Sequence, residues 1–172
     1  RFELFDDTIG NILCFTEDRK GNLWAGTDNR LIRIDKKSKK HLVFTIGYRL
    51  RSILEDKGDV LWLATEGGGL YSFNTAKRRL TQFTQSEGLP NNAVLNILRD
   101  NQGALWLSTF YGLSKFNPSD KKIHNFFASD GLQSNQFSYL PASKLKSGEL
   151  IFGGIKRFNL FFNVSRYSMQ SS

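Results

Sequence analysis

The sequence predicts an all-β fold: a β-propeller-type array of about four antiparallel blades, with four strands in each. Three observations predict it. Trp24, Trp62 and Trp106 recur roughly every 40 residues, a period typical of four-stranded blades. Each Trp lies six positions after an Asp and three before a Thr. The segments between turns are short, rich in β-branched and aromatic residues, and interrupted by Gly or Asn, which is the spacing of strands.

The repeated positions have structural interpretations. Asp is expected to cap the turn between the first two strands of a blade, and Trp is expected to pack between blades. A small residue follows each Trp on the same face (Gly26, Ala64 and Ser108), which leaves room for the next blade to approach. The structural repeat set is Asp18, Trp24, Thr27, Asp56, Trp62, Thr65, Asp100, Trp106 and Thr109.

Each complete unit divides into strands A, B, C and D in chain order, with turns between them. The predicted strands of the third unit are 94–98, 104–109, 113–116 and 122–127. Those of the second unit are 53–54, 60–65, 70–73 and 80–83, and those of the first are 12–15, 23–27, 31–34 and 42–44. Because strands alternate in direction, the A–B and C–D turns share one face of the array, and the B–C and D–A loops share the other.

The whole chain, 1–172, is predicted to form one propeller region. Its blades are expected at about 8–46, 47–90, 91–133 and 134–172, with 1–7 as an orphan outer strand. The last blade is atypical, since Ile151 occupies the Trp position and 157–162 takes the place of strand C. An atypical final repeat is typical of a cap or a closing unit.

Composition excludes some functions. The net charge of +8 raises the possibility of a polyanion partner, but the basic clusters all fall on predicted C–D turns, where solvated turn residues are the simpler interpretation. No exposed aromatic residues alternate with them to stack bases, so no nucleic-acid partner is expected. No apolar run approaches about 18 residues, so no membrane span is expected. The clusters are Lys36–Lys37, Lys39–Lys40, Lys77–Arg79 and Lys121–Lys122.

The repeats resemble the two-component regulator propeller repeat, whose pattern runs I-x-x-D-x-x-G-x-L-W-x-x-T-x-x-G-L and is matched at 97–113. The resemblance implies a periplasmic sensor region of a membrane-anchored hybrid two-component histidine kinase, and recognition of polysaccharide fragments. The sequence departs from the pattern at Arg30 and Arg157, where Gly is usual, at Asn163, where Pro is usual, and in an extra Gly at 67–69. Any kinase activity would reside in regions absent from this chain.

A candidate ligand site is predicted on the face formed by the B–C and D–A loops. Aromatic rings there could stack on the apolar face of a sugar, and amide, carboxylate and guanidinium groups could pair with its hydroxyls. Ordinary turn chemistry is the alternative interpretation. The predicted ligand-binding residues are Tyr48, Arg49, Glu66, Asn92, Tyr111 and Asn135.

No catalytic residues, metal ligands or cofactors are predicted, because His41 and His124 stand apart from any Cys or carboxylate at ligand spacing. The leading hypothesis is an extracytoplasmic, ligand-sensing propeller fragment, with an oligosaccharide as the first candidate ligand. The alternative is a non-catalytic scaffold for protein–protein interaction or dimerisation. A propeller lyase or glycosidase is a third hypothesis, for which no convergent set of residues is found. The partner of the chain would be a second copy of itself or the remainder of a longer sensor.

Overall fold

A computed structural model describes residues 9–38, 40–154 and 158–161. The described part forms four consecutive antiparallel sheets, called sheets 1 to 4, of which the first three have four strands and the last has three. Sheets 1 and 2 contain β1 (Cys14–Glu17), β2 (Leu23–Gly26), β3 (Arg30–Ile34), β4 (His41–Thr45), β5 (Arg49–Glu55), β6 (Val60–Glu66), β7 (Gly69–Asn74) and β8 (Arg79–Phe83). Sheets 3 and 4 contain β9 (Val94–Arg99), β10 (Leu105–Thr109), β11 (Leu113–Phe116), β12 (Ile123–Phe126), β13 (Phe137–Lys144), β14 (Leu150–Gly154) and β15 (Phe158–Phe161).

The predicted fold class is confirmed, and its strands differ from the prediction mainly in sheets 1 and 2. β1 begins at Cys14 rather than residue 12. β5 extends from Arg49 to Glu55 and is longer than the predicted 53–54, because Arg49 continues the ladder by pairing with Glu66. Both residues therefore belong to strands rather than to the predicted loops. The orphan strand at 1–7, Lys39, Arg157 and Asn163 lie outside the described residues.

Within sheets 1 to 3 the strand order follows the chain, so the first strand of each is at one edge and the fourth at the other. The first strands pack side by side: β5 contacts both β1 and β9, and β9 contacts β13. The four first strands are thus innermost, as in propeller blades around an axis. The loops on the B–C and D–A side are called the upper face, and those on the A–B and C–D side the lower face.

The repeated Asp residues cap the A–B turns as predicted, and they also bind the repeated Trp. In each of sheets 1 to 3 the indole Nε1–H donates to the Oδ2 atom of the Asp six residues earlier, at 2.8 Å for Asp18, 2.7 Å for Asp56 and 2.9 Å for Asp100. Burial raises the pKa of Asp18 and Asp56, but bonds from the indole and from turn groups outweigh it and hold both pKa values below normal. The separation of six residues along the chain therefore places the indole N–H within hydrogen-bonding distance of the carboxylate.

The repeated Thr residues close the B–C turns on the upper face. The Thr65 hydroxyl donates to the Gly69 carbonyl at 2.8 Å, and the Thr109 hydroxyl donates to the Gly112 carbonyl at 2.9 Å. Thr27 makes a longer bond, 3.3 Å, to the carbonyl of Arg30, the residue that stands where Gly is usual. Thr thus keeps its position in the repeat because it fastens the turn that follows its strand.

Aromatic side chains pack from one sheet to the next. The Trp62 ring lies 5.1 Å from the Phe116 ring of sheet 3, and the Trp24 ring lies 6.1 Å from the Phe73 ring of sheet 2. The small residue after Trp allows this approach: a Cβ atom added at Gly26 would lie 2.7 Å from the Leu50 Cβ atom of sheet 2. The core therefore consists of the interfaces between sheets, as the sequence pattern predicted.

Two short 3₁₀ helices connect one sheet with the next, at Gln85–Glu87 and Ala128–Asp130. Each ends at a glycine in the left-handed region, with φ of 107° at Gly88 and 96° at Gly131, and is followed by a buried Leu. The helices overlap two stretches of matching sequence, 86–92 and 129–135. Matching sequence therefore forms the same helical connection in both places.

Candidate ligand-binding site

A cross-sheet cluster on the upper face joins sheets 2 and 4 with the turn that follows β10 of sheet 3. It is defined by Arg51, Glu66, Phe110 and Tyr139. The Tyr139 hydroxyl donates to the Glu66 Oε1 atom at 2.8 Å, and the Arg51 guanidinium lies 4.1 Å from the centre of the Tyr139 ring. The Phe110 ring contacts Tyr139 edge-on at 5.4 Å. The cluster combines a carboxylate, a guanidinium and two aromatic rings in one place.

Access and charge suit the cluster to polar ligands. Tyr139 is 53% exposed, whereas the Arg51 and Glu66 side chains are only 21% and 26% exposed. Arg51 Nη1 and Glu66 Oε2 are 4.0 Å apart, so their charges attract each other without a direct hydrogen bond. The hydrogen bond to Glu66 is the main cause that raises the pKa of Tyr139, which keeps its hydroxyl protonated as a donor.

Two local features bring Arg51 and Glu66 together. The pairing between β5 and β6 shifts between Leu50 and Ser52, so Arg51 lies at an irregularity of the β-bulge kind. Bulges redirect side chains and are frequent next to functional sites. Glu66 ends β6, directly before the Gly67–Gly69 turn. Neither Arg51 nor Tyr139 was predicted as a site residue, because strand alternation does not reveal a bulge and Tyr139 lies outside the regular repeats.

Arg49 lies beside this cluster but has its own partner. Its Nε–H donates to the Asp28 Oδ1 atom at 2.7 Å, and both side chains are at least half exposed. This hydrogen bond, together with the carboxylate charge, raises the pKa of Arg49. The ion pair is open to solvent, where such pairs contribute little to stability. Both groups are accessible for contact with a ligand.

Two further predicted tyrosines present rings on the upper face. Tyr48 is 40% exposed and packs over the triple-glycine turn, where a Cβ atom added at Gly68 would overlap its ring. Tyr111 is 50% exposed, and its ring lies 5.4 Å from Phe127. The extra Gly in the second repeat therefore provides the space that Tyr48 occupies.

The predicted residues Asn92 and Asn135 connect the sheets. The Asn92 side-chain oxygen accepts from the Gln85 N–H at 2.8 Å, and its backbone carbonyl accepts from Gly67 and Gly69. Asn135 does the same in the next unit, where it accepts from the Ala128 N–H and, through its carbonyl, from Gly112. Each Asn ties a 3₁₀ helix to the B–C turn of the preceding sheet. Their role as ligand-binding residues stays a prediction.

The lower face has a polar groove of about 570 Å³ between sheets 2 and 3, lined by residues that include Asp56, Arg99 and Asp100. Its carboxylates are paired with cations: Asp56 pairs with Arg99 at 3.0 Å, and Asp100 lies 3.6 Å from the Lys115 ammonium.

One residue of the basic C–D turns is not simply surrounded by solvent, as the sequence had suggested for these turns. The Lys121 ammonium sits 5.4 Å from the Trp62 ring, over the aromatic contact between the same two sheets.

Among the described residues, no group of three or more His, Cys, Asp or Glu side chains is placed to hold a metal ion. The same part of the chain contains no helix that is long and apolar enough to cross a membrane.

Comparison with known proteins agrees with this architecture. The family model described as the two component regulator propeller matches residues 8–29 and 88–111. The predicted resemblance to this repeat is confirmed at these two stretches. It is 28% identical over 162 residues to histidine kinase P4 of Formosa agariphila, a match that covers 88% of this chain and 12% of P4.

Two similar solved structures are described as extracellular domains of hybrid two component systems from B. thetaiotaomicron. The BT3049 domain is 24% identical with a TM-score of 0.79, and the match covers 93% of this chain and 23% of that one. The BT4673 domain is 21% identical with a TM-score of 0.78, and the match covers 90% and 23%. At these identities the likeness shows the fold, and the chain spans less than a quarter of each relative.

Proposed function

We propose that this chain is an extracytoplasmic, ligand-sensing propeller segment of a hybrid two-component sensor, and that its ligand is an oligosaccharide derived from a polysaccharide. The observation that carries the proposal is the cross-sheet cluster, in which the exposed Tyr139 ring adjoins the partly shielded Arg51 and Glu66. Aromatic rings pack against the CH face of a sugar, and charged groups exchange hydrogen bonds with its hydroxyls.

The proposal extends to location and to signal output. Relatives described as extracellular domains support a periplasmic location as part of a membrane-anchored sensor. The similarity to histidine kinase P4 supports signal output through regions beyond this chain. The chain itself would bind without catalysis, and it would pass on occupancy through the packing of its blades.

Thermal unfolding with digests of cellulose, xylan, mannan and pectin tests the proposal. A ligand at a hundred times its dissociation constant adds about 2.7 kcal/mol, which raises the Tm of a domain of this size by about 5–10 °C. Tyr111→Ala should reduce the rise, because it removes an exposed ring of the upper face. Phe15→Ala is the matched control, since it removes an exposed ring from sheet 1 away from the cluster. A well-folded monomer that responds to no digest contradicts oligosaccharide sensing.

A protein–protein interaction or dimerisation scaffold is the second candidate. Phe15 is 74% exposed and Val43 is 44% exposed, and the pairing register places both in one row across sheet 1 with Ala25 and Ile32. Ala25 and Ile32, in the centre of the row, are already buried within the chain, so Phe15 and Val43 at its ends are the apolar side chains that a partner could cover. Light scattering distinguishes the candidates: the scaffold requires a mass above that of the monomer, which Phe15→Ser should lower. A monomeric wild-type chain contradicts self-assembly.

A further inference from the structure

The two oxygens of the Glu66 carboxylate have different surroundings. Oε1 accepts a hydrogen bond of 2.8 Å from the Tyr139 hydroxyl. Oε2 is enclosed and accepts no hydrogen bond from any described residue. The Arg51 Nη1 atom lies 4.0 Å from Oε2, too far for a hydrogen bond. A shielded carboxylate oxygen without a donor is unfavourable, so a group that donates to it would be held firmly.

The gap between Arg51 and Glu66 suits a hydroxyl group. An oxygen placed beside the line that joins these two atoms, which are 4.0 Å apart, can lie within hydrogen-bonding distance of both. A hydroxyl can accept from the guanidinium and donate to the carboxylate at the same time. An ammonium group only donates and a carboxylate only accepts, so neither could satisfy both partners. The gap therefore favours a ligand group that both donates and accepts, as a sugar hydroxyl does.

In the free protein, Tyr139 contacts both sides of the gap between Arg51 and Glu66. Its hydroxyl holds Oε1, and its ring is covered on one side by the Arg51 guanidinium at 4.1 Å. Tyr139 belongs to β13 of sheet 4, whereas Arg51 and Glu66 belong to β5 and β6 of sheet 2. Because Oε2 is enclosed while Tyr139 is in place, a ligand that reaches this oxygen must displace a group from another sheet.

We propose that Tyr139 is an internal competitor of the ligand, an inference that rests on the proposed oligosaccharide sensing. Its hydroxyl bond to Oε1 holds the ring against Arg51, so a ligand hydroxyl reaches the enclosed Oε2 atom and the guanidinium only when Tyr139 leaves. The sugar hydroxyl inserts between the guanidinium and the carboxylate, and Tyr139 is released. Because the competing groups lie on different sheets, the exchange turns ligand occupancy into a loss of contact between sheets 2 and 4. The cluster is then both the recognition site and the first step of the signal.

Tyr139→Phe tests the competition, because it removes the hydroxyl and keeps the ring against Arg51 and Phe110. Calorimetry with cellohexaose, xylohexaose, mannohexaose and trigalacturonic acid should show about tenfold tighter binding by this variant than by the wild type, the value of one hydrogen bond to a charged group. Glu66→Gln weakens the bond to the ligand and the bond to Tyr139 alike, so it should change the affinity less than Tyr139→Phe does.

Matched controls remove the same groups elsewhere. Tyr71→Phe deletes the hydroxyl of a tyrosine buried between sheets 1 and 2, and Glu17→Gln neutralises a carboxylate paired with Lys36 on the lower face. Neither control should change binding. Hydrogen exchange gives a readout that needs no ligand: the amides of β13 should exchange faster in Tyr139→Phe than in the wild type or in Tyr71→Phe.

The outcomes separate this inference from the proposed function. If the wild type binds a probe and Tyr139→Phe binds it equally or more weakly, the competitor role is wrong and sensing stands. If neither protein binds any probe, both proposals are overturned. If Tyr139→Phe binds more tightly but exchange in β13 is unchanged, the competition is supported and the transmission between sheets is overturned.

Discussion

At the scale of single residues, the repeated Asp links turn geometry to the core. One of its oxygens caps the A–B turn, and the other accepts the indole N–H of the buried or half-buried Trp. The N–H of a Trp between two sheets needs an acceptor, and the Asp of the same sheet provides one, so no other sheet has to supply it. This pairing explains why both residues recur together at one spacing.

Asp100→Asn is predicted to destabilise the protein by about 1–3 kcal/mol, because an amide has only one acceptor oxygen. When that oxygen caps the turn, the amide nitrogen faces the Trp106 N–H, which is left without an acceptor. The turn bonds to the Gln102 and Ala104 N–H groups can persist through the remaining oxygen. Urea unfolding followed by circular dichroism measures the loss.

The matched control is Asp35→Asn, since Asp35 caps a turn through the N–H groups of Lys37 and Ser38 and is exposed. It should cost less than Asp100→Asn. Equal losses would mean that the indole bond adds nothing to turn capping.

At the scale of elements, the B–C turn brings two strands and a connection into close contact. Gly69 has φ of 78°, and an added Cβ atom would overlap the carbonyl oxygen of Phe83 in β8. Gly112 stands in the same relation to the Phe126 carbonyl in the next sheet. Glycine is needed here both for the left-handed backbone and for the space.

Comparing Gly69→Ala with Gly58→Ala separates these two causes. Gly58 also has a positive φ, 70°, but nothing lies within 4 Å of its added Cβ atom. Gly58→Ala should cost about 1–2 kcal/mol for the backbone alone. Gly69→Ala should cost a further 1–3 kcal/mol or so for the steric overlap. Urea midpoints measure both, and equal costs would show that the strand contact relaxes freely.

At the scale of the whole molecule, stability resides at the interfaces between sheets. Three clusters of buried apolar residues fill the junctions of sheets 1 and 2, sheets 2 and 3, and sheets 3 and 4. In such arrays each unit is stabilised mainly by its neighbours. A residue inside a junction should therefore matter more than its counterpart at the end of the array.

Trp62→Ala is predicted to cost about 3–5 kcal/mol, because Trp62 is 2% exposed and contacts aromatic rings of both sheets 2 and 3. Trp106→Ala should cost less, since Trp106 is only partly buried and stacks on Phe126 of its own sheet. Thermal unfolding of the two variants gives the order directly. A larger loss for Trp106 would contradict the expectation that the more deeply buried Trp contributes more to stability.

The fold was largely predictable because its signals are local. Trp, its Asp and its Thr lie within ten residues of one another, and the strand limits of sheet 3 agree with the prediction to within one residue. The matching stretches 86–92 and 129–135 each overlap a 3₁₀ helix, a type of turn that their sequences alone do not reveal. Local spacing fixes turns and strands because their hydrogen bonds join near neighbours.

The candidate site was predictable only in part. The sequence placed Arg49, Glu66 and the exposed tyrosines at one face, since strand direction alone assigns loops to faces. Only the tertiary structure brought Tyr139 to Glu66, 73 residues away, and directed Arg51 through an irregular pairing. The sequence by itself determined the blades through short-range repeats. The site was decided by packing between blades, because contacts across the axis depend on how complete sheets are set against one another.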